Sequence, residues 1–169
     1  WFLPAMALAQ TAQADALAAL KDTKVFFAHQ SVGDDVLAGV ETLAREAHVS
    51  LRVVEGAAPE SFSSPGLVHV QVGQNGDPLS KLNQFGQLLE GPAQAAQVAV
   101  VKLCYVDFTA GTDARALFDA YVKQVEALKA KRPGLAFVHV TAPLTTVQGG
   151  VKGWLKNTFG GAAWGEREN

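Results

Sequence analysis

The fold is decided by one stretch near the start of the chain, Lys24-Val25-Phe26-Phe27-Ala28-His29-Gln30-Ser31-Val32-Gly33. Its first half is a compact apolar run, typical of a buried strand, and its second half is a polar turn. Asp34 and Asp35 follow, where carboxylates favour the start of a helix, and apolar residues then recur with a helical period. The stretch therefore predicts a strand, a tight turn that contains Ser31, and a helix.

The same alternation of strand and helix patterns continues through the chain. Short apolar runs predict further strands at 50–54, 67–72, 98–106 and 135–140. Helical stripes of apolar residues lie at 12–20, 79–89 and 113–132. Alternating strands and helices imply one three-layer α/β domain, in which a mostly parallel sheet carries helices on both faces.

Composition limits the classes of function. The 169 residues are 49% apolar and 18% charged, with a formal net charge of −2, which suits a single domain with a real core. No run of Lys or Arg forms an electrostatic footprint, so we expect no nucleic-acid partner. The one cysteine, Cys104, lies in an apolar run and is interpreted as a buried hydrophobe. No spacing of His, Asp or Glu resembles a metal motif, and no cofactor is predicted.

The first residues are typical of the end of a secretory signal peptide. Trp1 to Gln10 matches the end of an apolar region followed by an Ala7-x-Ala9 cleavage site. We therefore expect residues 1–9 to be a signal-peptide remnant, residues 10–169 to be the domain, and the protein to be exported, periplasmic or extracellular. The alternative is the apolar end of an ordinary helix. No other stretch approaches the roughly 18 apolar residues of a membrane span, so we expect no stable membrane insertion.

Three polar segments follow predicted strands, and ligands bind beyond the carboxyl ends of the strands in open parallel sheets. They are His29-Gln30-Ser31-Val32-Gly33, Gly73-Gln74-Asn75-Gly76 and Tyr105-Val106-Asp107. A serine at a strand-to-helix turn has its hydroxyl near backbone N–H groups and the positive end of the helix dipole, which suits a nucleophile whose attack creates an oxyanion. Ser31 is therefore the candidate nucleophile, and capping of the helix is its structural alternative.

The other residues of these segments have structural alternatives as well. His29 lies on the strand side of the turn, which favours a hydrogen-bonded structural histidine over a base. Gly76 would serve the Asn75-Gly76 turn, and Asp107 would begin a short helical turn. The remaining histidines lie within predicted strands or at a helix end: His48, His69 and His139.

Three blocks of the chain resemble a bacterial branch of the SGNH/GDSL hydrolase superfamily. They are the stretch ending in His29-Gln30-Ser31-Val32-Gly33, the segment Lys102-Leu103-Cys104-Tyr105-Val106-Asp107, and His139-Val140-Thr141-Ala142-Pro143-Leu144. The resemblance covers about Lys24 to Leu144 and implies a flavodoxin-like sheet. It also implies that Ser31 is the nucleophile and that an oxyanion hole is formed by Ser31, Gly76 and Asp107. The residues that would line the same site are His29, Gln30, Asn75 and Tyr105.

The sequence departs from the family pattern at three points. His29-Gln30 stands in place of Gly-Asp before the serine, and the oxyanion asparagine falls on Val106 unless the register shifts to Asp107. An ionised Asp107 would repel an oxyanion. No histidine follows His139, although the family's Asp-x-x-His block belongs near the C-terminus. We therefore expect the chain to be truncated before that block and the fragment to be inactive.

The function that the resemblance implies is hydrolysis of an acyl ester through an acyl-enzyme on Ser31. The expected substrate is a small-molecule or carbohydrate ester, and a histidine beyond the end of the chain would act as the base. The alternative is a non-catalytic ligand-binding module that uses the same cleft. The sequence leaves the acyl group, the alcohol and the oligomeric state open.

Overall fold

A computed structural model describes residues 3–142 and Thr158, with side chains described from residue 12 onward. The strands are β1 (Lys24–His29), β2 (Val53–Glu55), β3 (Gly66–Gln71), β4 (Val98–Val101) and β5 (Ala136–Val138). The α-helices are α1 (Leu3–Lys21), α2 (Val32–Glu46), α3 (Pro78–Glu90) and α4 (Ala114–Lys131). Two short 3-10 helices lie at Pro59–Phe62 and Tyr105–Asp107.

Strand β1 lies at the centre of the sheet, and the apolar side chains on both of its faces suit that position. The strand order is β2-β3-β1-β4-β5, and every pairing is parallel. Val25 and Phe27 pack on one side of the sheet, whereas Phe26 and Ala28 pack on the other. All four are buried, as expected for a parallel strand that is covered on both faces.

Helices α3 and α4 cover one face of the sheet and form the larger part of the core. The Phe26 ring stacks on Phe85 of α3, with ring centroids 5.7 Å apart, and meets Phe62 edge to face at the same distance. Further buried members of this cluster come from α3 and α4: Leu82, Leu89, Leu117 and Leu128. Removal of these aliphatic and aromatic surfaces from water is the main force that holds the two helices on the sheet.

Helices α1 and α2 cover the opposite face. Leu37 of α2 and Leu20 of α1 pack with Val25, Phe27 and Leu67 of the strands. Helices therefore lie on both faces of a parallel sheet, and the predicted three-layer α/β architecture is confirmed. When β2 is left aside, the remaining strands stand in the order of a flavodoxin-like sheet, and β2 is an added edge strand of three residues.

The predicted strand at 98–106 is wrong at its carboxyl end, because β4 stops at Val101. The chain then turns into the 3-10 helix Tyr105–Asp107, where the Cys104 N–H donates to the carboxylate of Asp107 at 2.7 Å. A carboxylate that caps its own turn competes with continuation of the strand. Asp107 thus lies in a short helical turn, but it ends that turn, and the prediction that it begins one is wrong because its carboxylate accepts the N–H of Cys104 at the start of the turn.

Helix α1 passes through the predicted cleavage site Ala7-x-Ala9. Both a signal segment and an ordinary helix would be helical here, so the signal-peptide remnant stays a prediction. No helix in the described part of the chain has the length and the apolar character to cross a bilayer. The end of the third resembling block, Pro143-Leu144, lies outside the described residues, as does most of the chain that follows it.

Candidate functional site

Three loops meet at the carboxyl edge of the sheet, because β1 pairs with β3 on one side and with β4 on the other. The loop after β1 carries Gln30 and Ser31, the loop after β3 runs from Val72 to Asp77, and the loop after β4 ends in Asp107. The sequence-predicted residues therefore share one edge of the molecule, at the place where open parallel sheets bind ligands.

Ser31 occupies the N-cap position of α2, and its side chain is exposed. Its hydroxyl makes no capping hydrogen bond. The structural alternative, a serine whose hydroxyl satisfies the first turn of the helix, is therefore not the arrangement that the structure adopts. The hydroxyl stands at the end of the central strand without a structural task among the described residues.

The backbone around Ser31 supplies donors at the start of α2. The Gly33 N–H donates to the Gln30 carbonyl at 2.6 Å, and the Asp34 N–H donates to the Ser31 carbonyl at 3.0 Å. Among the described residues, the N–H groups of Ser31 and Val32 have no such acceptor. The first N–H groups of a helix have no partner within the helix and carry its positive partial charge. The hydroxyl of Ser31 therefore stands beside backbone donors suited to an anion.

Gln30 fastens the loop after β1 to the loop after β3. Its side-chain amide donates to the carbonyls of Val72 and Gly73, at 3.0 and 3.1 Å. The Gly73 N–H in turn donates to the side chain of Gln84 in α3, at 2.6 Å. Gly73 has a φ of +58°, and a Cβ added to it would lie 2.5 Å from the Lys81 backbone nitrogen, so only glycine fits. Gln30 thus positions the loop rather than offering its amide to a ligand.

A buried ion pair joins the loops after β3 and β4. The Lys81 ammonium donates to both carboxylate oxygens of Asp107, at 2.7 and 2.6 Å, and to the Asn75 side-chain oxygen at 3.0 Å. Asp107 also accepts the N–H of Gly76 at 2.9 Å and the N–H of Cys104 at 2.7 Å. Both charged side chains are fully buried. Each of the three ammonium protons and both carboxylate oxygens has a partner, which is the condition for holding such charges away from water.

This network bears directly on the oxyanion hole that the resemblance implied. The Gly76 N–H is donated to Asp107, so in this arrangement it is committed inside the protein. Asp107 is itself an acceptor held by Lys81, and a carboxylate has no proton to offer an oxyanion. The assignment of Gly76 and Asp107 as donors stays a prediction, whereas their contacts give both a positioning role.

The sequence patterns did not identify Lys81 as a residue of the site, although its position in the helix was an indication of a buried charge. Lys81 lies four residues before Phe85 on the buried face of α3, and so occupies a position of the core stripe. A lysine on such a stripe indicates a buried partner of opposite charge, because an unpaired charge is costly there. The identity of that partner required the tertiary structure, because Asp107 lies on a different loop.

His29 is a buried structural histidine, as its position in the sequence favoured. Its Nδ1 lies 3.1 Å from the Gln30 carbonyl oxygen, and its Nε2 lies 3.1 Å from Nδ1 of His69. Because a carbonyl only accepts, we assign the proton of neutral His29 to Nδ1, and Nε2 then accepts from His69. The ring stacks on Phe27 with centroids 4.8 Å apart. Both nitrogens are occupied by contacts other than Ser31.

His69 is partly exposed on β3 beside His29. Burial, and after it the repulsion from a charged His29, lowers the pKa of His69 below its ordinary value of 6.5. The nearby carboxylates Glu55, Asp34 and Glu41 act in the opposite direction, but burial is the largest cause. The pair of histidines therefore favours the neutral form of His69.

The remaining predicted site residues lie on the same loops. Asn75 is exposed, and its side-chain oxygen accepts from Lys81. Tyr105 is half-buried in the 3-10 helix that ends in Asp107. Among the described residues, no cluster of three or more His, Cys, Asp or Glu side chains is arranged to hold a metal ion.

No family model, curated protein or solved structure matches the chain. The resemblance to the SGNH/GDSL hydrolases therefore stays a prediction, carried by the three blocks of sequence.

Proposed function

We propose that the protein is a serine-dependent ester hydrolase that forms an acyl-enzyme on Ser31. The observation that carries this proposal is the Ser31 hydroxyl, which is exposed at the carboxyl end of the central strand and makes no capping hydrogen bond. A serine kept only for capping would direct its hydroxyl to the backbone of α2. A nucleophile instead needs a free hydroxyl at the open edge of the sheet.

The start of α2 supports the proposal electrostatically. Attack by Ser31 on an ester carbonyl forms a tetrahedral oxyanion, and the N–H groups of Ser31 and Val32 are donors at that point. The positive end of the helix dipole acts in the same direction. Because the Gly76 N–H is donated to Asp107, we assign the backbone donors of this proposal to the first turn of α2.

The general base of the proposed reaction is not one of the described hydrogen-bond partners of Ser31. The sequence has four histidines, and none of them makes a hydrogen bond to the Ser31 hydroxyl. A serine hydroxyl at its ordinary pKa is a weak nucleophile, so the reaction needs a base. The proposal therefore includes a base, other than these four histidines, that takes the proton of the Ser31 hydroxyl. The proposed substrate is a small-molecule or carbohydrate ester, and the protein is proposed to be exported.

A second candidate function is a non-catalytic ligand-binding module on the same fold. The observation that favours it is the internal use of the expected site residues, since the Gly76 N–H is donated to Asp107 and the His29 ring is hydrogen-bonded to His69. A binding module needs the exposed donors at the start of α2 but no base.

Reaction with a fluorophosphonate and hydrolysis of a short-chain chromogenic ester separate the two functions. The protein is expressed from its complete reading frame, and Ser31→Ala is compared with Ser50→Ala, another exposed serine. We expect labelling at Ser31 alone, and a loss of turnover in Ser31→Ala of at least about a thousandfold. The thermal midpoint should be unchanged, because the hydroxyl makes no cap bond. Ester turnover that survives Ser31→Ala would exclude Ser31 as the nucleophile, and the absence of both labelling and turnover would favour the binding module.

A further inference from the structure

A second buried lysine, Lys102, differs from Lys81 in its surroundings. Lys102 follows β4 directly and is 7% exposed. Within the part of the chain that the structure describes, its ammonium makes one hydrogen bond, a long one of 3.4 Å to the neighbouring carbonyl of Leu103. No carboxylate among the described residues forms an ion pair with it. By contrast, Lys81 has three acceptors at 2.6 to 3.0 Å. A buried ammonium without an anion is costly, so Lys102 is a position that gains from an anionic partner.

Lys102 lies in the wall of a groove on the face of the sheet that carries α1 and α2. Side chains alternate along a strand, so Lys102 shares a face with Val98 and Val100 of β4. The groove has a volume of about 460 Å³, within the range of small-molecule sites. Apart from Lys102, the lining is apolar except for Thr23, and includes Leu20, Phe27, Val36, Val40, Val100 and Val138.

The groove has a direction that follows from the register of the sheet. Val25 pairs with Val98, and Phe27 pairs with Val100, so Lys102 lies at the carboxyl end of the groove. Leu20 and Thr23 precede β1 and lie toward its amino end. From position 98 to position 102 the sheet extends roughly 13 Å, at the usual rise of a strand. Lys102 thus lies at one end of an elongated apolar surface.

We propose that this groove binds a single-chain amphiphile with one carboxylate, such as a medium-chain fatty acid anion. The carboxylate would pair with the Lys102 ammonium, and the aliphatic chain would lie along Phe27 and Val100 toward Leu20. One ammonium matches one negative charge, and the uncharged remainder of the wall matches an aliphatic chain. The proposal concerns binding alone, and it holds whether or not Ser31 hydrolyses an ester.

Isothermal titration calorimetry with octanoate, decanoate and 1-octanol, below their micelle concentrations and solubility limits, tests the proposal on the unmodified protein. We expect octanoate to bind at least about tenfold more tightly than 1-octanol, because only the carboxylate forms a charge-assisted bond with Lys102. Decanoate should bind about fifteenfold more tightly than octanoate, since two further methylenes are buried. Equal affinity for octanoate and 1-octanol, or no binding of decanoate, would overturn the proposal.

Substitutions then locate the site. Lys102→Met keeps the aliphatic stem, so we expect it to fold and to remove the preference for octanoate over 1-octanol, whereas Lys102→Arg should retain the preference. Val36→Gln places a polar group in the groove and should weaken decanoate binding about tenfold. Leu79→Gln alters another exposed apolar side chain, which lies outside the groove, and should leave binding unchanged. Ser31→Ala should also bind decanoate normally, which keeps this test separate from that of the hydrolase.

Sedimentation of the same variants measures the mass of the protein in solution and tests whether a second copy of the chain, rather than a fatty acid anion, occupies the groove. If a second copy of the chain fills the groove, the protein will be a dimer that Val36→Gln dissociates, and decanoate will bind only to the monomer. That result would overturn the fatty-acid proposal. A protein whose mass in solution is the same with and without decanoate, and the same in Val36→Gln, supports it.

Discussion

Lys81 and Asp107 lie 26 residues apart in the sequence and form a fully buried ion pair, with the ammonium donating to both carboxylate oxygens at 2.7 and 2.6 Å. The pair joins α3 to the loop after β4, and through Gly76 and Asn75 it also holds the loop after β3. Two of the three loops at the carboxyl edge therefore depend on one electrostatic contact. Gln30 connects the third.

Removal of one member of this pair should be strongly destabilising. Lys81→Met leaves the Asp107 carboxylate buried and without its cation, and such a change costs roughly 3–5 kcal/mol of the free energy of unfolding. Urea unfolding measures it. Lys129→Met is the matched control, because Lys129 and Glu126 form an exposed pair whose loss should cost under about 1 kcal/mol. The double variant Lys81→Met/Asp107→Leu should lose less stability than Lys81→Met alone. If Lys81→Met lost no more stability than Lys129→Met, the buried ion pair would be contradicted.

Stability should decrease in mild acid because of His69. Burial lowers the pKa of His69 in the folded protein, so below pH 6.5 the unfolded chain binds a proton that the folded protein does not. The free energy of unfolding should therefore fall as the pH is lowered through 6.5, until the folded imidazole is also protonated. We expect His69→Gln to flatten this dependence, and His48→Gln, which replaces an exposed histidine just beyond α2, is the matched variant for comparison. Equal slopes in the wild-type protein and His69→Gln would rule out this cause.

Substitution of two glycines in α2 by alanine should change the stability of the protein in opposite directions. A Cβ on Gly33 would lie 2.2 Å from Cγ of the buried His29 ring, so Gly33→Ala should cost roughly 1–3 kcal/mol of the free energy of unfolding. A Cβ on Gly39 would meet nothing within 4 Å, so Gly39→Ala should stabilise the protein by about 0.5–1 kcal/mol. Thermal or urea unfolding of the two variants decides the comparison. If both substitutions had the same sign, the close contact between Gly33 and His29 would be in error.

Residues 1–169 alone should have negligible esterase activity. His29 is buried with both ring nitrogens engaged, so it is not free to take the proton of Ser31. Hydrolysis of a chromogenic ester is measured for residues 1–169 and for their His29→Ala variant under the same conditions. Substantial turnover by residues 1–169 that disappears in His29→Ala would make His29 the base.

Gln30 should matter for the stability of the site through its amide. Gln30→Glu replaces a donor with a carboxylate facing the carbonyls of Val72 and Gly73, and we expect a loss of about 1–3 kcal/mol in the free energy of unfolding. Gln74→Glu is the control, since Gln74 is exposed on the loop after β3 and its hydrogen bonds are those of its backbone, from its N–H to Ser80 and from the Asp77 N–H to its carbonyl. Equal stability of Gln30→Glu and Gln74→Glu would show that the amide does not fasten the two loops.

The fold class followed from local patterns in the chain. The apolar run from Lys24 to Ala28 and the polar turn at Ser31 predicted a buried strand and its position before α2, whereas the central place of β1 in the sheet came from the structure. The alternation of such units predicted the parallel sheet, because crossover helices are needed between parallel strands. The sequence also associated Asp107 with a short helical turn, although at the wrong end of it, and it did not show that β4 would end at Val101. That boundary depends on the hydrogen bond between Cys104 and Asp107.

The partners of the polar residues required the tertiary structure. Periodicity shows which face of an element is buried, but it does not show which residue of another loop lies opposite. Lys81 and Lys102 are both lysines on apolar elements, yet one meets Asp107 and the other faces an apolar groove. In the same way, His29 and Gly76 are committed to His69 and Asp107, which lie 40 and 31 residues away along the chain. The pattern of the sequence specified the sheet and the location of Ser31. Packing in the tertiary structure decided which charges are paired and which N–H groups remain free, because those contacts join residues that are distant in sequence.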